Sequence, residues 1–192
     1  MNTYEKILAA ALQVLEEEGG AKFSTRAVCT IAQVSAPTLY HHFGNADGLL
    51  SAAIMEAFQQ LLQRKSTAVL SSHPQEALRQ GWDNFVGFAA TRPRLYSAMM
   101  GRLLEGAQIE AAARAYQLLV HNVQAIADED QLAVPLETAA GLIWASANAA
   151  SLLHVTAETR KTPPPEPSVI HLIRESAMQL ILNSDDEKEG LR

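Results

Sequence analysis

Apolar residues recur along almost the whole chain at spacings of three and four, and nowhere in sustained alternation. Positions three and four apart share one face of a helix, whereas a half-buried strand needs a period of two. The pattern therefore predicts an all-α fold. Helix starts and stops are also legible. Asn2 with Glu5 three residues on reads as a capping box ahead of the apolar face Ile7, Leu8, Ala11, Leu12 and Leu15, which ends at Gly19-Gly20. Ser24 caps a second helix over 25–32. Ser35 caps a third over 36–42, whose Pro37 sits in the first turn, where its missing amide costs nothing. Asn45 opens a long fourth helix carrying Leu49, Leu50, Ile54, Phe58, Leu61 and Leu62. Pro74, Pro93 and Pro135 then each head a new periodic segment, giving helices near 74–91, 94–102, 108–128 and 136–159. The four prolines of 162–167 force a stiff loop before a last helix near 168–182. The expectation is about nine helices: a three-helix N-terminal module over 1–45, an antiparallel helical bundle over 46–184, and a flexible charged tail over 185–192.

With 192 residues and 48% hydrophobic content the chain can bury a substantial core. Its net charge of −6 lacks the basic surplus usual in nucleic-acid binders, so any contact with DNA must be local. Cys29 is the only cysteine, which rules out an internal disulfide and a cysteine-based zinc site. No apolar run reaches the roughly 20 residues that span a bilayer, and no basic-then-apolar leader opens the sequence. A cytoplasmic location away from membranes is expected. There is no nucleophile–base–acid set, no phosphate-cradling glycine loop and no carboxylate pair in an apolar setting, so the chain is read as no enzyme and as needing no cofactor or metal.

Residues 25–43 carry the strongest functional signal. Two short helices joined by a tight turn would send Val28, Ala32, Val34, Leu39 and Phe43 inward against Leu8, Ala11 and Leu15. The last short helix would then show Ala36, Pro37, Thr38, Tyr40 and His41 outward. Small side chains there fit a major groove, while Thr25, Ser35, Tyr40 and His41 offer hydrogen bonds to phosphate. His41 and His42 point about 100° apart on a helix, which argues against a shared metal. Thr25-Arg26, Val34-Ser35, Thr38-Leu39-Tyr40-His41-His42-Phe43 and Asn45-x-Asp47-x-Leu49-Leu50 together resemble the TetR-family DNA-binding signature. The resemblance covers about the first 50 residues. It implies a homodimeric repressor with a recognition helix at 36–42 and an effector pocket in the C-terminal bundle. By position it implies DNA contacts from Thr25, Arg26, Ser35, Ala36, Pro37, Thr38, Tyr40, His41 and His42. Three positions depart from the family pattern. Gln33 replaces a turn glycine, at a cost of roughly 1–2 kcal/mol if that residue is left-handed. Cys29 replaces alanine and is expected to be buried and inert. Ala46 replaces a lysine that reaches a phosphate. Residues 1–45 hold only Lys6, Lys22 and Arg26 against four glutamates, which predicts a shallow salt dependence of DNA binding.

In the bundle, Trp82, Phe85, Phe88, Tyr96, Met99, Met100, Leu103, Tyr116, Trp144 and Asn148 are the candidate lining of a cavity for an apolar or aromatic effector, although ordinary core packing would also use most of them. His121 and His154 read as partly buried structural histidines. Ala139, Ala140, Ile143, Ala147, Ala150 and Ser151 in one of the last two helices, and Ile170, Ile173, Ala177, Leu180 and Ile181 in the other, are expected to form a four-helix interface with a second copy or else to be core of the single chain. The competing function is a helical ligand-binding or adaptor protein with weakened or lost DNA binding.

Overall fold

The computed structural model of the protein describes residues 1–19, 23–65 and 73–183. The expected tail at 185–192, Gly20 and Lys22 lie outside the described residues, as do the side chains of Leu61 and Leu62. Among the described residues there are nine helices and no strand: α1 (Thr3–Glu18), α2 (Thr25–Ala32), α3 (Ala36–Phe43), α4 (Ala46–Lys65), α5 (Pro74–Thr91), α6 (Pro93–Leu104), α7 (Glu110–Ala127), α8 (Leu136–Arg160) and α9 (Pro167–Ile181). The caps lie where the sequence puts them. The Asn2 side chain accepts from the Glu5 amide at 2.9 Å while the Glu5 carboxylate accepts from the Asn2 amide at 2.9 Å, so two orphan donors of α1 are satisfied reciprocally. Asn45 Oδ1 accepts from the Gly48 amide at 2.8 Å at the head of α4.

Two compact units result. The first comprises α1 to α4, α6 and the first turn of α7. Ile7, Leu15, Val28, Leu39, Leu49 and Leu95 are fully buried in it, each contributing roughly 1.5–3 kcal/mol of hydrophobic stabilisation. Gly48 fixes the α3–α4 corner, since a Cβ there would stand 2.2 Å from the Phe43 carbonyl oxygen. Ser51, buried in α4, accepts from the Ala111 amide at 2.9 Å and so caps the start of α7.

The second unit comprises α5, the rest of α7, α8 and α9. Trp82 of α5 donates through Nε1 to Ser146 Oγ at 2.9 Å, and Ser146 in turn donates to the Ile143 carbonyl at 2.9 Å. Arg174 of α9 pairs with Asp83 of α5 and with Glu175, and Arg79 reaches Glu175 at 3.3 Å. Burial disfavours the Glu175 charge, but the two arginines outweigh it and hold its carboxyl below the usual range.

The faces of α8 and α9 differ from the expectation of an interface. Ala139, Ala140, Ile143, Ala147, Ala150 and Ser151 are buried within the single chain, as are Ala177 and Ile181. Ile170 and Ile173 are half-buried and Leu180 is exposed. The outward face shares only Leu180 with the expected one: it runs through Ala145, Ala149 and Leu152 on α8, with Val169, Leu172 and Leu180 on α9. Small residues let helices approach closely, and here α8 uses them inward.

Candidate nucleic-acid interface

The second and third helices are each eight residues long, and both are started by a serine. Ser24 Oγ accepts from the Ala27 amide at 3.2 Å, and Ser35 Oγ accepts from the Thr38 amide at 3.3 Å. The turn between them needs a left-handed residue, and Gln33 supplies it at φ 55° and ψ 47°. Its own amide closes α2 on the Cys29 carbonyl, and the Val34 amide donates to that same oxygen at 3.1 Å. On α3, Leu39 and Phe43 are four apart and bury together, which turns the opposite side outward.

That opposite side holds most of the expected contacts. Ser35, Ala36, Pro37, His41, His42 and Arg26 are exposed, Tyr40 is 43% exposed, and Thr25 and Thr38 are half-buried. Two hydrogen bonds organise this surface: the Thr25 and Tyr40 hydroxyls lie 3.2 Å apart, tying the start of α2 to α3, and the Ser35 and Thr38 hydroxyls lie 2.8 Å apart. His42 stands edge-on to Tyr4, ring centroids 6.1 Å apart, and Tyr4 stacks on Phe43 at 4.7 Å, so α1 steadies the end of α3. Sequence reasoning assigned Tyr4 no part in this surface; its position one helical turn before Leu8 is the signal that finds it. The His41 and His42 rings lie edge-on with centroids 5.5 Å apart, and among the described residues no cluster of His, Cys, Asp and Glu is arranged to hold a metal.

Two inward expectations need correction. Cys29 is half-buried rather than buried, and Ala32 and Val34 are likewise only half-covered. In so short a helix only Val28 is fully covered, and the neighbouring Ile31 is 43% exposed. Ala46 is exposed at the head of α4.

The candidate effector residues divide between the units. Tyr96, Met99, Met100 and Leu103 lie on α6 in the first unit, the first two buried. Trp82, Phe85 and Trp144 meet in the second unit around a cavity of about 40 Å³, with Phe85 and Trp144 rings 5.2 Å apart. Tyr116 stands edge-on to Trp144 at 5.4 Å, while Phe88 is buried away from the cavity. Asn148 does not line that cavity; its amide donates to the Trp144 carbonyl of its own helix at 2.8 Å. The polar wall is Asn122, which sequence reasoning missed; it lies 3.3 Å from where a Cβ on Gly81 would be. His121 is exposed rather than partly buried. No helix among the described residues is long and apolar enough to cross a membrane.

Residues 7–53 match the family described as bacterial regulatory proteins, tetR family. The transcriptional regulator UidR of Escherichia coli (strain K12) is 36% identical over 62 residues, 32% of either chain. The match thus spans about a third of the length of the curated relatives. A TetR family transcription regulator from Marinobacter aquaeolei VT8 superposes with a TM-score of 0.63 at 17% identity, covering 95% of this chain and 96% of that one. The multidrug binding protein EbrR, solved with imidazole, gives a TM-score of 0.66 at 19% identity over 94% of this chain and 90% of its own. Residues 7–53 thus match the DNA-binding model of the tetR family, and the helices of the whole chain share the fold of solved regulators described as members of that family.

Proposed function

We propose that the chain is a ligand-responsive transcriptional regulator that grips a palindromic DNA operator as a homodimer and acts as a repressor. The observation that carries the reading is the outward face of α3, pinned to the start of α2 by the Thr25–Tyr40 bond. Exposed Ala36, Pro37 and His41 leave the helix slim enough for a major groove. Ser35, Thr25, Tyr40 and the amides that open α2 and α3 face phosphates, with Arg26 adding a cation. Residues 1–45 hold the DNA contacts in this reading, and 46–184 serve effector binding and dimerisation.

The effector is a small apolar or aromatic molecule admitted between Trp82, Phe85 and Trp144. At about 40 Å³ the cavity is too small for such a molecule, so the effector selects a wider form. Release of DNA then follows only if the wider form binds the operator less tightly. The second copy seats on the outer stripe of α8 and α9. The protein works in the cytoplasm and catalyses no reaction.

The test is selection of bound sequences from a random pool of duplex DNA, run beside Tyr40→Ala. A palindromic site enriched by the parent protein and weakened at least ten-fold in the variant is the expected result. No enriched site at moderate salt would favour an adaptor that has lost DNA binding, a reading for which the exposed Ala46 speaks.

A further inference from the structure

Within the first unit, and apart from the aromatic cavity, a cleft of about 650 Å³ opens where α4 begins and α6 ends. That volume lies in the range of small-molecule sites. Its floor is apolar, made by Leu50, Ala98 and Phe23. Its rim is an ion cluster. Arg102 donates through Nε and Nη2 to the two Asp47 oxygens at 2.8 and 3.0 Å, and through Nη1 to Glu105.

Gly101, in the last turns of α6, also lines this space. Its φ is not positive, so the backbone does not need glycine, and a Cβ would meet nothing within 4 Å, so packing does not need it either. Glycine inside a helix costs about 1 kcal/mol against alanine. What it supplies here is open volume, in a wall whose other α6 members, Ser97 and Ala98, are small as well.

Charge decides the occupant. The start of α4 and the end of α6 meet at the cleft, so their helix-end fields oppose each other and the side chains set the sign. Among the described residues two carboxylates face one guanidinium, leaving the rim one negative charge in excess. Both Asp47 oxygens are engaged, whereas Glu105, 64% exposed, uses only Oε2 among the described residues. We propose that this cleft is a second small-molecule site, which takes an organic cation by seating its apolar body on Leu50 and Ala98 and its charge against Glu105. The site belongs to the helix-turn-helix unit itself, so the proposal goes beyond the effector cavity and stands whether or not the chain binds DNA.

The experiment is calorimetric titration of the full chain, without DNA, with 2-phenylethylammonium and with phenylacetate as an anion of similar size. Amide shift mapping accompanies it. The cation is expected to bind at least ten-fold more tightly than the anion and to shift the Ala98 and Gly101 amides. Gly101→Leu should abolish binding with the melting temperature kept or raised, and Glu105→Gln, at an exposed position, should weaken it several-fold with helicity unchanged. Equal binding of the two probes, no binding at millimolar concentration, shifts centred on Trp82 and Trp144 instead, or binding unaltered in both variants would each overturn the proposal.

Discussion

Gln33 closes α2 in the left-handed region, where a side chain crowds the following carbonyl at a cost of about 1–2 kcal/mol. Gln33→Gly removes that crowding but gives the unfolded chain more freedom, so the expected net gain is about 0.5–1 kcal/mol. Urea unfolding checks it: the midpoint should rise with the slope unchanged, and an unmoved midpoint would mean that the turn carries no strain. This residue was legible because a turn type fixes its own backbone requirement. Cys29 was not. Its exposure depends on how far neighbouring helices overlap an eight-residue segment, and sequence periodicity says which side faces inward without saying how completely it is covered. The same limit applies to Tyr4, whose stacking on Phe43 is a contact between helices.

Helix boundaries were legible throughout, because caps and prolines are local chemistry: Ser24, Ser35, Asn45 and Pro74 act within a turn of where they stand. The orientation of α8 was harder to see. It is apolar nearly all round, with buried Ala147 and Ala150 on one side and exposed Leu152 and Leu153 on others, so periodicity marks no single inward face. Small residues suit close approach to a helix of the same chain as well as to one of a partner, and the structure uses them for the former. The same helix carries His154, whose partial burial disfavours the charged imidazole and lowers its pKa from the ordinary 6.5. The unfolded chain therefore takes up a proton first as the pH drops. Stability is fully present above about 6.5 and is lost as pH falls through the lower folded value. Urea unfolding of the parent protein and His154→Gln between pH 7.5 and 5 should show the parent losing more stability than the variant; parallel curves would contradict the assignment.

At the scale of the molecule, fold class and helix order follow from the sequence, since both are sums of local signals. The surface left for a partner does not, because it is whatever the interior declines to use. Leu172 and Leu180, each 61% exposed, are the largest apolar groups on the outer stripe of α9. Leu172→Glu is expected to turn a dimer into a monomer by sedimentation equilibrium, with helicity unchanged, because an isologous interface would bury the new charge twice. A variant that stays dimeric would move the interface elsewhere. One detail of the first unit bears on how such a protein would find its target. Arg92 pairs with Glu16, and Arg94 donates to the Glu16 and Glu17 carbonyls at the end of α1, so these cations serve the protein's own scaffold. With few positive groups left for phosphates among the described residues of the first unit, brief dwell on random duplex and short sliding along it are expected of the proposed regulator. The proposed regulator is then expected to search by repeated three-dimensional encounters, with its residence at an operator set by the fit of α3 in the groove.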